Sequence, residues 1–307
     1  MKALADYIHS KGLKLGIYSD AGWQTCGGRP GSRGYEYQDA MTYAKWGIDY
    51  LKYDWCNTGG LKEEGAYLTM RNALYAAGRP IVFSICEWGN SKPWTWAKNV
   101  GHLWRTTGDI TACFDCVVDH GTWKSWGVMQ ILDMQEGLRN YAGPGHWNDP
   151  DMMEVGNGLT DNENRAHFSM WCMLAAPLIC GNDLRNMSKE TLEILANKDV
   201  IAVDQDSLGV EGLKYLTKND LEVWFKPLTK GDWAMCILNR SSMPQKITFN
   251  WKYENVSDNI SGRETKFDST VYSLRNLWTK ENAGTTELPL TAEIPGRDVL
   301  MLRLSKK

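Results

Sequence analysis

The sequence predicts an α/β protein: a (β/α)₈ TIM barrel followed by a smaller C-terminal antiparallel β-sandwich domain. From residue 13 to about residue 183, short apolar strands alternate with longer amphipathic segments, a rhythm typical of parallel strands joined by helical crossovers. Every one of these strands ends at or near an acidic residue. In a barrel the C-terminal ends of all strands meet at one mouth, whereas a doubly wound sheet gathers ligand groups at a single crevice. The polar strand ends therefore favour the barrel.

Six barrel strands and five later helices are predicted after an opening helix. The strands lie at residues 14–19, 48–54, 81–87, 103–109, 145–151 and 178–183. The helices lie near residues 36–46, 62–77, 119–138, 160–174 and 188–197. A closed barrel of this type needs eight strands, so two βα units are missing upstream. Either the chain is a piece of a longer protein, which we favour, or a partner segment completes the sheet, because open edges invite pairing.

The pattern changes after residues 203–206 (VDQD), where strands are separated by turn-rich segments. Strands at 221–225, 233–238, 246–249 and 299–304 predict an antiparallel β domain. We therefore predict an N-terminally incomplete catalytic barrel over residues 1–208 and a β-sandwich over residues 209–307. The second domain has no evident acid pair or nucleophile, so we expect it to pack and solubilise the barrel, with secondary carbohydrate binding as the alternative.

The composition indicates what kind of partner the protein binds. The 307 residues are 43% hydrophobic and 23% charged, as is ordinary for a globular protein. A net charge of -3 and the lack of a basic tract give no sign of a positively charged surface for nucleic acid. No apolar run is long enough to span a membrane. The excess of 15 Trp and 13 Tyr over 6 Phe supplies rings that either fill the core or stack on a ligand. A small neutral partner is expected.

Two aspartates at strand ends are the candidate catalytic residues. Asp54 ends an apolar strand in the segment 51–57 (LKYDWCN), and Asp109 ends another beside Trp104 and Arg105. Taken singly, an aspartate at a strand end is most often a helix cap or an ion-pair partner. The shared setting of the two, carboxyl groups among indole rings, predicts sugar chemistry.

The neighbours of the two aspartates suggest opposite protonation states. Lys52 and Asp54 should face the same side of their strand because side chains alternate, and an ammonium group favours an ionised carboxylate, which suits a nucleophile. That negative charge would keep Asp109 protonated, which suits a proton donor. Such a pair is the machinery of a retaining glycoside hydrolase, whose two carboxyl groups lie about 5 to 5.5 Å apart.

Further polar residues at strand ends are candidates for holding a sugar. Glu87 and Asp151 offer carboxylates to hydroxyl groups that need a partner once they leave water. Arg105 offers a rigid fork of donors, either to adjacent hydroxyls or to hold one of these acids in place. Asp149 precedes a proline and is expected to serve as a turn or cap residue.

No metal or other cofactor is predicted. The five histidines include no HxH or HxxxH pair, which argues against a transition-metal site. Cys113 and Cys116 form a CxxC without a second such motif, so free thiols or a local bridge are preferred to zinc. Cys26 and Cys56 both follow predicted strand ends and could meet at one rim of the sheet. No charged and apolar leader precedes the first helix, so export cannot be inferred from the start of the chain.

A set of motifs in this order resembles the α-galactosidases of glycoside hydrolase family 27. They comprise 16–20 (GIYSD), 25–32 (TCGGRPGS), 52–54 (KYD), 86–88 (CEW), 105–109 (RTTGD), 143–152 (GPGHWNDPDM), 176–178 (APL), 182–185 (NDLR) and 203–206 (VDQD). The resemblance implies a retaining exo-glycosidase that cleaves terminal α-linked galactose from oligosaccharides or glycoconjugates. α-N-Acetylgalactosaminidase, β-L-arabinopyranosidase and a non-catalytic sugar-binding remnant are the alternatives.

The resemblance also implies roles for individual residues. Asp54 matches the family nucleophile and Asp109 its acid/base, whereas Cys26 and Cys56 match a disulfide at the pocket edge. The positions that match the sugar pocket are Tyr18, Cys26, Lys52, Glu87, Trp88, Arg105 and Asp151. The family also implies a secreted, periplasmic or lysosome-like location. The first two strands of family members carry further galactose contacts that have no counterpart here, and homo-oligomerisation stays open.

Overall fold

The computed structural model describes residues 1–307. Its helices are α1 (Lys2–Ser10), α2 (Glu36–Trp46), α3 (Glu63–Ala76), α4 (Val128–Asp133), α5 (Asp161–Met173), α6 (Lys189–Leu195) and α7 (Lys198–Asp204). The first strands are β1 (Gly16–Asp20), β2 (Tyr50–Asp54), β3 (Val82–Ile85), β4 (Leu103–Arg105), β5 (Val117–Asp119), β6 (Lys124–Trp126) and β7 (Trp147–Asp149). The later strands are β8 (Leu213–Lys218), β9 (Leu221–Pro227), β10 (Trp233–Asn239), β11 (Gln245–Phe249), β12 (Asn255–Asp258), β13 (Arg263–Lys266), β14 (Tyr272–Asn276), β15 (Asn282–Thr285), β16 (Leu290–Ile294) and β17 (Val299–Lys306). None of the helices has the length and apolar character needed to cross a membrane.

The chain forms two compact units. The first contains residues 1–108 and 145–149, and the second contains residues 109–144 and 150–307. The predicted boundary at residue 208 lies within the second unit, and the division into 1–208 and 209–307 stays a prediction.

The first unit is built on a parallel sheet in the order β1-β2-β3-β4-β7. The register places Tyr18 beside Lys52 and Asp20 beside Asp54. Its core consists of apolar side chains from the strands and from α2 and α3, with Tyr53, Tyr67 and Phe83 packed against one another. Apolar side chains of these strands pack against α2 and α3, and the C-terminal ends of the strands form one polar edge.

The second unit combines helices with antiparallel sheets. Its largest sheet has six strands in the order β15-β14-β17-β10-β9-β8. Helix α5 is almost completely buried, begins with a capping box between Thr160 and Glu163, and contributes Phe168 and Trp171 to a core that also contains residues of β9 and β10. Arg165 forms an ion pair with Asp298 at 2.5 Å, which fastens α5 to the chain before β17.

Most predicted elements of the α/β region are confirmed, and two differ. A helix over 119–138 is wrong: the structure has a hairpin of β5 and β6, then the short helix α4. The turn follows from Gly121, whose φ of +87° is left-handed and whose N–H donates to Asp119, a local bond that competes with a helix. The strand predicted at 178–183 is reduced to an isolated parallel bridge between Met153 and Cys180.

Candidate active site

Asp54 is the last residue of β2, and its carboxylate is held on both sides. The side chain is 6% exposed. The Tyr18 hydroxyl donates to Oδ2 at 2.8 Å, and the backbone N–H of Trp55 donates to Oδ1 at 3.0 Å. Burial, followed by the hydrogen bond to Asp54 and the charge of that carboxylate, raises the pKa of Tyr18 well above its ordinary value. The tyrosine therefore remains a donor, and the carboxylate has a fixed orientation.

Asp20 is a second buried carboxyl group at this edge, which the sequence analysis did not include in the site. It lies beside Asp54 in the register of β1 and β2 and is completely buried. Its oxygens accept the N–H groups of Gly22 at 2.7 Å and Cys56 at 3.0 Å. Burial, opposed by these hydrogen bonds and reinforced by the charge of Asp54, raises the pKa of Asp20 to about 6. The signal that could have identified it is the ending of β1 in aspartate, as in β2.

Cys26 and Cys56 are paired across the loops that follow β1 and β2. Their Cα atoms are 5.1 Å apart and their sulfur atoms are at bonding distance, within the range of natural disulfides. The sulfur of Cys26 also lies 3.4 Å from Oδ2 of Asp54. Ligand atoms of these two cysteines, Asp20 and Asp54 lie within 4.8 Å of one another, but paired sulfurs offer no thiolate to a metal.

Lys52 lies on β2 between Tyr18 on β1 and Ser84 on β3. It is half-buried. Because residues two apart on a strand face the same side, Lys52 shares the face of Asp54, as expected from the sequence. The polar edge of the sheet therefore carries a cation and a carboxylate on one face.

Glu87 follows β3 and is completely buried. The N–H of Ser91 donates to its Oε2 at 2.7 Å, whereas Oε1 has no hydrogen-bond partner. Burial is the main cause that raises the pKa of Glu87 to about 7. A buried oxygen without a partner costs free energy, so Oε1 of Glu87 is available for a hydrogen bond with a ligand.

Trp88 and Gly89 form a tight turn directly after Glu87. Both have left-handed φ angles, +61° for Trp88 and +78° for Gly89. A Cβ atom on Gly89 would lie 2.2 Å from the carbonyl oxygen of Thr106, so only glycine fits. Trp88, with a bulky side chain in a conformation that such residues rarely adopt, is half-buried and packs against the core of the first unit.

Arg105 ends β4 and is 2% exposed. Its Nη2 donates to the carbonyl oxygens of Thr107 at 3.1 Å and Gly108 at 2.8 Å, and its Nη1 lies 3.8 Å from the sulfur of Cys86. The planar fork thus holds the two residues that precede Asp109. These bonds position the backbone before Asp109, and the roles expected from the sequence, direct sugar binding or holding Glu87 or Asp151, stay predictions.

Asp109 and Asp151 belong to the second unit. Asp109 is exposed, and its carbonyl oxygen accepts the N–H of Trp126 at 3.0 Å. Asp151 is buried with a left-handed φ of +94°, and its Oδ2 accepts the N–H of Ile110 at 3.0 Å. Asp151 therefore fixes the backbone that follows Asp109.

The structure thus brings Tyr18, Cys26 and Asp54 into direct contact, and it connects Asp151 with the segment of Asp109. The catalytic and binding roles assigned to these residues remain predictions. Two family models match the chain: one described as α-galactosidase A over residues 1–206, and one described as the α-galactosidase C-terminal β-sandwich domain over residues 218–304.

The chain belongs to the α-galactosidase family. It is 57% identical to α-galactosidase A of Cellvibrio japonicus over 307 residues, which are 100% of this chain and 76% of that protein. Among solved structures, it matches a Bacteroides fragilis homologue with a TM-score of 0.89 and 39% identity, covering 100% of this chain and 65% of that one. It also matches the α-galactosidase of Saccharomyces cerevisiae with raffinose, with a TM-score of 0.88 and 27% identity over 100% of this chain and 83% of that chain.

Membership of the α-galactosidase family confirms the predicted fold class, a TIM-barrel region followed by a C-terminal antiparallel β-sandwich. It also confirms that the chain is a glycoside hydrolase by descent. The chain spans less than two thirds of the Bacteroides homologue.

Proposed function

We propose that this α-galactosidase family member hydrolyses terminal α-linked galactose by double displacement. The observation that carries the proposal is the Asp54 carboxylate, which is buried at a strand end and oriented by Tyr18 and the Trp55 amide. A nucleophilic carboxylate must present one oxygen to the anomeric carbon in a defined direction. Two hydrogen bonds, one to each oxygen of the carboxylate, provide that orientation.

In the first step Asp54 attacks the anomeric carbon, and the leaving oxygen takes a proton from Asp109. In the second step Asp109 removes a proton from water, which attacks the same carbon and releases Asp54. Two inversions leave the anomeric configuration unchanged, so the proposed enzyme is of the retaining type. The two carboxyl groups and water supply both attack and proton transfer, and the proposed reaction needs no metal or other cofactor.

The proposed substrates are galactose-containing oligosaccharides or glycoconjugates. The structure of the Saccharomyces cerevisiae relative with raffinose supports this class. Oε1 of Glu87, which has no hydrogen-bond partner, is available for a hydrogen bond with a sugar hydroxyl, and half-buried Trp88 offers an aromatic surface. We assign Lys52, Cys26, Arg105 and Asp151 to the same binding site, with Arg105 and Asp151 acting at least in part by holding the backbone around Asp109.

We also propose the domain division at residues 1–208 and 209–307, which the family matches over residues 1–206 and 218–304 support. An oxidising location outside the cytoplasm, whether secreted, periplasmic or lysosome-like, is proposed from the paired cysteines Cys26 and Cys56. This location predicts that Cys26 and Cys56 are oxidised in protein purified from its native compartment, and separation of the oxidised and reduced forms tests it.

Turnover of 4-nitrophenyl α-galactoside between about pH 4 and pH 7 tests the activity. The same assay with the α-N-acetylgalactosaminide and the β-L-arabinopyranoside tests the alternative specificities. Binding of galactose without release of nitrophenol at any of these pH values would favour a non-catalytic remnant. Retention predicts that α-galactose is the first anomer observed by NMR, and initial formation of the β anomer refutes the double displacement.

Substitutions at the two aspartates test the assigned roles. We expect Asp54→Asn to lose turnover by at least about 10³-fold, because the amide is a poor nucleophile. Asp109→Asn should still form the glycosyl intermediate from a substrate with an activated leaving group, which needs no protonation. A burst of nitrophenol and the mass of the trapped intermediate report this step. Equal, mild effects of the two substitutions contradict the assignment.

A further inference from the structure

The hairpin of β5 and β6 carries an ordered tip. The loop over residues 120–123 is closed by a hydrogen bond from the N–H of His120 to the carbonyl oxygen of Trp123 at 2.9 Å. At the start of the loop, the N–H of Gly121 donates to Asp119 at 2.7 Å. These bonds fix the backbone on both sides of the turn, so the side chains of the tip have a defined placement.

Two rings are stacked at this tip. The imidazole of His120 lies on the indole of Trp123, with centroids 4.0 Å apart and planes at 17°. Nε2 of His120 is 2.9 Å from the hydroxyl of Ser125, which keeps the imidazole in place. Trp123 is nevertheless 50% exposed. The imidazole therefore supports one face of an indole that is still open to solvent.

The hairpin is attached directly to the segment of Asp109. The N–H of Trp126 donates to the carbonyl oxygen of Asp109 at 3.0 Å, and the N–H of Thr111 donates to the carbonyl oxygen of Trp126 at 2.9 Å. Trp123 lies three residues before Trp126, and three residues span at most about 11 Å. The exposed indole is therefore within the length of a short oligosaccharide from the backbone of the proposed acid/base.

The base of the hairpin is equally well defined. The N–H groups of Gly127 and Val128 donate to the carbonyl oxygens of Cys116 and Cys113 at 2.8 and 2.9 Å. The sulfur atoms of the two cysteines lie close to bonding distance. A Cβ atom on Gly127 would lie 2.7 Å from the carbonyl oxygen of Cys113, so the chain passes this point only as glycine. The tip thus projects from a fixed base.

We propose that Trp123, supported by His120, binds a neutral sugar ring of the leaving group. The inference rests on the proposed function, in which Asp109 protonates the leaving oxygen, so that the departing sugar lies on the side of Asp109. Indole rings stack on flat apolar faces, which hexose rings present. The charges nearest the tip, Asp119 and Lys124, lie 3.7 Å apart and offset one another, which favours an uncharged partner.

The test compares two substrates that differ only in what leaves. Raffinose releases a disaccharide, whereas α-galactosyl fluoride releases a single atom that cannot contact Trp123. We expect Trp123→Ala to lower kcat/KM for raffinose about tenfold, mainly through KM, because stacked rings contribute about 0.5–1.5 kcal/mol beyond their buried area. Hydrolysis of the fluoride should stay within about twofold of the unmodified protein, and Trp123→Phe should retain most of the raffinose activity.

Tyr253, an aromatic residue that is 78% exposed, provides the matched control, and Tyr253→Ala should change neither substrate. An equal loss of both activities in Trp123→Ala indicates a structural role and overturns the proposal, as does no loss of either. A fall in oligomeric state on ultracentrifugation of Trp123→Ala, without a change for raffinose, would identify a contact between copies of the chain and also overturn it.

Direct binding of the leaving group separates this inference from the proposed function. Sucrose, titrated into the protein with indole fluorescence as the signal, requires no turnover. We expect saturable binding that Trp123→Ala weakens about tenfold and Tyr253→Ala leaves unchanged. If the unmodified protein hydrolyses neither substrate, the proposed function fails. The sucrose titration alone then decides whether Trp123 binds a sugar. Absence of sucrose binding to the unmodified protein, together with unchanged raffinose kinetics in Trp123→Ala, overturns the inference alone.

Discussion

Replacement of Glu87 by glutamine should make the stability of the protein less sensitive to pH. Burial raises the pKa of Glu87 from its ordinary 4.5 to about 7. Between these two values the unfolded chain has released the proton whereas the folded chain retains it, so a rise in pH lowers the free energy of unfolding. The stabilisation is therefore complete below about pH 4.5 and is lost as the pH rises through about 7.

The size of the effect follows from the same two values. One pKa unit corresponds to about 1.36 kcal/mol, so the difference between 4.5 and about 7 amounts to about 3 kcal/mol. Glutamine has nearly the same shape and can still accept the Ser91 N–H, but it does not ionise. The decrease in unfolding free energy between about pH 4.5 and pH 8 should accordingly be about 3 kcal/mol smaller in Glu87→Gln.

Urea unfolding at several pH values, followed by tryptophan fluorescence, measures this difference. Asp20 and Asp204, whose pKa values burial raises to about 6 and about 7, contribute equally to both proteins and cancel in the comparison. Glu281→Gln, at an exposed position, is the control and should follow the unmodified protein. If the pH dependence of Glu87→Gln runs parallel to that of the unmodified protein within about 1 kcal/mol, the carboxyl group is not the buried acid inferred here.

Two further substitutions test the edge of the parallel sheet. Tyr18→Phe removes the 2.8 Å hydrogen bond to the proposed nucleophile, and kcat/KM for 4-nitrophenyl α-galactoside should fall about 10- to 100-fold, because hydrogen bonds to charged groups contribute about 1.5–3 kcal/mol. The control is Tyr75→Phe, at a position that is 84% exposed. Equal kinetics of the two variants would contradict the orienting role of Tyr18. Gly89→Ala should destabilise by more than about 3 kcal/mol, because it adds a clash with a carbonyl oxygen at 2.2 Å to the cost of about 1–2 kcal/mol for a left-handed residue. Gly78→Ala, with φ of +71° and nothing within 4 Å, should show only the smaller cost in urea unfolding, and the same loss for both variants would exclude the clash.

The alternation of apolar strands and amphipathic helices was sufficient to predict the parallel sheet. Helix α2 has the predicted bounds, and β2 ends at Asp54 as expected, because apolar periodicity and a polar strand end are both local properties. The placement of Lys52 beside Tyr18 then follows from side-chain alternation and strand register. These features needed no knowledge of distant contacts.

Other features depend on contacts that a linear pattern does not contain. The hairpin of β5 and β6 replaced a predicted helix because Gly121 has a left-handed φ angle and its N–H donates a hydrogen bond to the side chain of Asp119. Asp20 was overlooked because its importance arises from the N–H of Cys56, 36 residues away. The missing hydrogen-bond partner of Oε1 of Glu87 can likewise be recognised only when its surroundings are known.

The paired cysteines Cys26 and Cys56 have a sequence separation of 30, and the loop between them includes the whole of α2. A crosslink over a loop of that length removes about 3–4 kcal/mol of chain entropy from the unfolded state. The sulfur of Cys26, at one end of this crosslink, contacts the Asp54 carboxylate. A reagent that reduces the crosslink therefore changes the immediate surroundings of the proposed nucleophile. Protein produced in a reducing host would lack this crosslink, and the free thiol of Cys26 would lie beside the carboxylate of the proposed nucleophile.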